Sequence, residues 1–80
     1  MSRPVALVTG ASRGIGRAIA VALGDTHHVL VGGRDRHAVA EVVASLPDAA
    51  PFLADLTDEA AVTTAVAGIR RLDVLVHSAG

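Results

Sequence analysis

Val5-Ala6-Leu7-Val8-Thr9-Gly10-Ala11-Ser12-Arg13-Gly14-Ile15-Gly16 is the stretch whose reading decides the fold. Val5 to Val8 is a short apolar run, β-branched at both ends, which suits a strand covered on both faces. Gly10, Gly14 and Gly16 follow closely behind it. Without a Cβ the backbone can turn sharply and let a ligand approach. Past Gly14 the spacing changes. Ile15, Ile19, Ala22 and Leu23 fall at i, i+4, i+7 and i+8, which predicts one apolar face of a helix. A helix opening behind a glycine turn presents unpaired N–H groups and a partial positive charge, a ready site for phosphate. The general dinucleotide pattern G-x-G-x-x-G does not fit, because Gly10 and Gly14 are four apart, and a P-loop would need a Lys, which the chain lacks.

Outward from this stretch the chain alternates strand and helix. Strand one is expected near Val5–Thr9 and helix one near Gly14–Leu23, with Gly24 placed to end it. Strand two is expected at His28–Gly32. Helix two runs from about Arg36 to Leu46, with Val39, Val42, Val43 and Leu46 on one face, and Pro47 stops it. Strand three is short, near Pro51–Ala54. Helix three opens at Thr57 or Asp58 as N-cap, with Glu59 in its first turn. Its core face is Val62, Val66 and Ile69, and Arg70 and Arg71 suit its C-terminal end. Strand four is Leu72–Val76. This alternation predicts an α/β fold, a Rossmann-like doubly wound parallel sheet with three helices and strand order 3-2-1-4. The ligand crevice then lies over the C-terminal end of strand one. Strand four would be an edge, and a parallel apolar strand such as Val74-Leu75-Val76 normally has a neighbour or helix on both sides. Residues 1–80 therefore read as the first half of a larger domain, its C-terminal half absent from this chain.

Composition narrows the classes further. Eighty residues make one domain at most. Such a chain buries only about 60–65% of its unfolded surface, so the core is marginal. Cysteine is absent, which excludes disulfides and thiolate metal sites. The histidines make no H-x-x-x-H helical pair, so no metal site is expected. The 51% hydrophobic content is mostly Ala and Val, with Phe52 the only aromatic residue, and it fits a sheet between close-packed helices better than a bundle. A net charge of −1 gives no reason to expect nucleic acid or a membrane surface as partner. The apolar stretch Ala18 to Leu23 is far short of a membrane span. Met1-Ser2-Arg3-Pro4 runs straight into strand one with no room for a signal peptide, which predicts a cytoplasmic protein.

Thr9-Gly10-Ala11-Ser12-Arg13-Gly14-Ile15-Gly16 resembles the cofactor turn of the short-chain dehydrogenase/reductase family, Thr-Gly-x-x-x-Gly-x-Gly, at every fixed position. The resemblance covers essentially the whole chain, although family members are much longer. It implies that Gly10, Gly14, Ile15 and Gly16 cradle the cofactor pyrophosphate, largely by backbone. Arg34 and Asp35 stand where the fold reads the adenosine ribose. An acid there accepts from the 2′-hydroxyl of NAD, and an Arg pairs with the 2′-phosphate of NADP. Arg34, with Arg13 as second basic residue and Ser12 beside it, implies NADP, with NAD less favoured. Asp55 and Leu56 after strand three imply an adenine contact, since a carboxylate offers only acceptors to an exocyclic amino group. His77-Ser78-Ala79-Gly80 is similar to the family's Asn-Asn-Ala-Gly. Ala79 and Gly80 match and would line the ribose side. His77 and Ser78 depart from it, and His77 reads as a backbone-ordering residue rather than a catalytic base.

The family's chemistry uses a tyrosine acid/base, a Tyr-x-x-x-Lys lysine and an upstream serine. The chain has no Tyr and no Lys, so no catalytic residue is expected within it. The resemblance implies an NADP-dependent oxidoreductase, moving hydride between nicotinamide and a carbonyl or alcohol substrate in the parent protein, with this chain supplying cofactor binding only. Dimers and tetramers are the family habit, so a homo-oligomer is implied at full length. Two alternatives stand beside this reading: a non-catalytic dinucleotide-binding module, or a gene fragment with no function of its own.

Overall fold

The computed structural model describes residues 3–11, 14–33, 35–52, 59–67, 69 and 72–77. Its elements run β1 (Val5–Thr9), α1 (Gly14–Leu23), β2 (His28–Gly32), α2 (Arg36–Ser45), β3 (Ala49–Phe52), α3 (Glu59–Ala67) and β4 (Val74–His77). The four strands form one parallel sheet in the order β3-β2-β1-β4. This is the expected doubly wound order, with β1 and β2 inside.

The register sorts the side chains into two layers. Ala6 and Val8 on β1 pair with Val29 and Val31 on β2 and with Val74 and Val76 on β4. On this face Val8, Val29 and Val31 join Ala11, Ala20 of α1 and Val39 and Val42 of α2 in one buried cluster. Both helices thus lie on one side, as right-handed crossovers between β1, β2 and β3 require. Right-handedness of the β3-to-β4 crossover predicts α3 on the opposite side. That side holds a row across the sheet, Ala50, Leu30, Leu7 and Leu75. Leu7 is fully buried, whereas Leu75, on the edge strand β4, is 57% exposed.

Several boundaries differ from those the sequence suggests. β3 lies upstream of Pro51–Ala54 because it starts on the ladder: the Val29 N–H donates to the Asp48 carbonyl (3.0 Å), and Ala49 pairs with Val29. Pro51 is tolerated because β3 is an edge strand in the described sheet, where a missing N–H costs no ladder bond. β4 begins at Val74 instead of Leu72 because Asp73 closes its lower end. The Val5 N–H donates to Asp73 Oδ2 (2.8 Å), and the Asp73 N–H donates to the Val5 carbonyl (2.9 Å). α2 ends at Ser45 because Leu46, preceding Pro47, is extended (φ −103°, ψ 147°). Thr57 and Asp58, the expected caps of α3, lie outside the described residues, as do Arg70 and Arg71. Val66 and Ile69 are half-buried as expected of a core face, although Ile69 falls past the helix end.

The largest correction concerns α1. Ile15 and Ala22, expected on its core face, are exposed, Ile15 by 77%. Gly16 and Ala20 are buried instead, flanked by half-buried Ile19 and Leu23. The helix approaches the sheet through its smallest residues, which bring its axis closer than an Ile at this point would allow.

Candidate cofactor-binding site

The site forms where β1 hands over to α1. Gly10 (φ 65°) and Gly14 (φ 58°) both take the left-handed conformation, which a residue with a Cβ reaches only with strain. A Cβ on Gly14 would meet nothing within 4 Å, so the space above it is open. Gly16 is different. A Cβ there would sit 2.2 Å from the Gly10 carbonyl oxygen and 2.8 Å from its carbon. The first turn of α1 therefore rests directly on the backbone of the glycine turn. Ala11, fully buried, donates its N–H to the Gly32 carbonyl (2.7 Å), tying the turn to the end of β2. The result is an open glycine cradle at the N-terminus of a ten-residue helix. Its free backbone donors and positive dipole end suit a bridging pyrophosphate. The residues present fit a dinucleotide by this test.

Of the residues singled out from the sequence, the structure brings Gly10, Gly14, Ile15 and Gly16 together at this turn. Ile15 has its side chain in the open. Ser12, Arg13, Arg34, Asp55, Leu56, Ala79 and Gly80 lie outside the described residues.

Two neighbours of the cradle acquire definite roles. Asp35 is the N-cap of α2. Its Oδ1 accepts from the N–H groups of His37 (2.9 Å) and Ala38 (3.2 Å). The sequence left Asp35 and Arg34 side by side as ribose readers, and here the carboxylate is turned back onto its own helix. Replacing Asp35 by Ala should cost about 1 kcal/mol of stability, the usual value of such a cap. The same substitution should leave the NADPH-to-NADH affinity ratio unchanged, which thermal melting and parallel cofactor titrations would check.

The other neighbour was not given a contact by sequence reasoning. Thr9, 2% exposed at the end of β1, lies opposite His77 on β4, and its Oγ1 is 2.8 Å from His77 Nδ1. The Val76 carbonyl is a more distant acceptor for the same hydroxyl, at 3.5 Å. The signal was the register itself, since a parallel β1–β4 pair puts the last residues of both strands abreast. Among the described residues, no cluster of His, Cys, Asp or Glu could hold a metal ion, and no helix is long and apolar enough to cross a membrane.

A parallel sheet in the order 3-2-1-4, with a glycine cradle over the central strand, defines the Rossmann-like class of dinucleotide-binding folds. The family profile of short chain dehydrogenases matches residues 4–80, and the chain belongs to that family. It is 48% identical over 77 residues to an uncharacterized short-chain type dehydrogenase/reductase of Sinorhizobium fredii, covering 95% of this chain and 30% of that one. Among solved structures it is similar to an RhlG/NADP active-site complex from Pseudomonas aeruginosa, with 36% identity and a TM-score of 0.81 over 100% of this chain and 36% of that one. It is also similar to a protein from Shigella flexneri 2a complexed with NADP, with 26% identity and a TM-score of 0.71 over 100% of this chain and 38% of that one. The chain thus spans about a third of the length of these relatives.

Proposed function

We propose that this chain is the N-terminal, cofactor-binding part of a longer NADP-dependent oxidoreductase that transfers hydride between nicotinamide and a carbonyl or alcohol substrate. The observation that carries the reading is the cradle: Gly14 open above, and Gly16 seated on the Gly10 carbonyl at the start of α1. In it Gly10, Gly14, Ile15 and Gly16 hold the pyrophosphate by backbone. Ser12, Arg13 and Arg34 take the 2′-phosphate, Asp55 and Leu56 flank adenine, and Ala79 and Gly80 line the ribose side. A bound nicotinamide supplies the hydride-carrying carbon.

The preference for NADP is supported from two sides. Asp35 turns its carboxylate back to cap α2 through Oδ1, and Gly33, two residues upstream, has no side chain to accept from a 2′-hydroxyl. Two of the similar solved structures also contain NADP. The exposed Leu75 on edge strand β4 supports a domain that continues past this chain, with further structure over that side of the sheet.

Hydride transfer to a carbonyl needs a proton donor for the alkoxide, and with no Tyr or Lys in these residues the donor must come from elsewhere in the parent protein. Sequencing the coding DNA past the Gly80 codon tests this part. The proposal expects the frame to continue into a serine followed by Tyr-x-x-x-Lys. A stop codon after Gly80 would sink the hydride-transfer claim for this protein.

A further inference from the structure

We infer that Phe52, the only aromatic residue of the chain, is a positioning residue of the cofactor cradle: its ring holds Gly32, whose carbonyl fixes the glycine turn through Ala11. This rests on the reading of that turn as a dinucleotide cradle and extends it to a side chain outside the turn. Phe52 ends β3 and is paired with Gly32 at the end of β2. Strand alternation puts its side chain on the face that holds Ala50, Leu30 and Leu7. There it is buried, on the opposite side of the sheet from the cluster that α1 and α2 cover.

Gly32 is the link. It has no side chain of its own to pack, and a second glycine, Gly33, follows it. Its place at the end of β2 is set by the ladder and by the atoms that border it. A Cβ there would lie 3.4 Å from the Thr9 Cα and 3.6 Å from Phe52 Cδ2, both ordinary contact distances. The backbone of β1 and the ring on β3 thus border Gly32. The Gly32 carbonyl accepts the Ala11 N–H at 2.7 Å. Ala11 is fully buried and directly follows Gly10, on whose carbonyl the first turn of α1 rests at Gly16. A shift of Gly32 therefore passes to the cradle without any contact between Phe52 and the cofactor. Phe52→Leu removes the ring and leaves a gap beside Gly32, which a packed interior closes only in part.

The test compares Phe52→Leu with Val42→Ala in the 80-residue chain, by amide hydrogen exchange and NADPH titration well below both melting temperatures. Val42→Ala cuts a buried side chain in the cluster on the opposite face and controls for lost core packing. The exchange readout is the ratio of two amides: Ala11, bonded to Gly32, and Val29, bonded to the Asp48 carbonyl at the other end of β2. In Phe52→Leu the Ala11 amide should exchange about tenfold faster relative to Val29, as a local opening of the turn requires. NADPH should bind about fivefold more weakly, the value of one loosened hydrogen bond. In Val42→Ala the two amides should change together and the affinity should stay at the parent value. Phe52→Ile, β-branched and suited to a strand, carries the same expectations and guards against a variant that fails to fold. Parallel changes at Ala11 and Val29 in the Phe52 variants, or NADPH affinity equal to the parent's, would overturn the inference and leave the cradle standing. Absence of NADPH binding by the unaltered chain would overturn both.

Discussion

Gly16→Ala should abolish cofactor binding, weakening it by more than about a hundredfold, and should lower stability by about 2 kcal/mol or more. Two effects compete at this position. Alanine favours a helix interior over glycine by about 1 kcal/mol. Against it stands a Cβ placed 2.2 Å from the Gly10 carbonyl oxygen, a backbone atom with no rotamer to escape into. Forcing extra volume into a packed contact costs about 1–3 kcal/mol, occasionally more. The clash wins because relief requires moving the turn off the helix, and the turn is also held by the Ala11–Gly32 bond. A domain of this size has about 4–12 kcal/mol in hand, so the loss is a large share of it. Denaturant unfolding of Gly16→Ala beside the parent, with NADPH fluorescence titration of both, checks the two halves of the prediction. Unchanged affinity would mean that the phosphate does not bind at this turn.

The second large effect is on cofactor choice. Arg34→Ala should weaken NADPH binding about ten- to a hundredfold, from a charge-assisted pair worth about 1.5–3 kcal/mol, and should leave NADH nearly untouched. The difference between the two cofactors is the 2′-phosphate alone, so a role in reading it must appear as a change in their ratio. Equal losses for both would defeat the assignment of Arg34. The Asp35 cap supplies the matching control, since its removal should affect stability and not the ratio.

The sequence was informative where local chemistry and tertiary structure agree. β1, α1 and β2 sit where the apolar run and the glycine spacing put them, and the strand order follows from alternation and handedness. Legibility failed where long-range contacts decide. The lower end of β4 is set by Asp73 bonding to Val5, residues far apart in sequence. The start of β3 is set by the ladder to Val29, which overrides the weak strand preference of Ala49 and Ala50. On α1 the periodicity picked out Ile15 and Ala22 because a hydrophobic pattern counts apolar side chains by spacing and passes over glycine. The packing instead chose Gly16 and Ala20, where close approach is possible. Ile15 stands exposed in the first turn of α1. At the site, the glycines were legible by spacing, and the Thr9–His77 contact required the register.

The most direct measurement of the central claim is the affinity of the unaltered chain for NADPH and for NADH, titrated side by side by cofactor fluorescence. The account predicts saturable one-to-one binding of both, with NADPH tighter by about tenfold or more, the value of one charge-assisted contact to the 2′-phosphate. Binding of neither cofactor, or NADH held as tightly as NADPH, would contradict it.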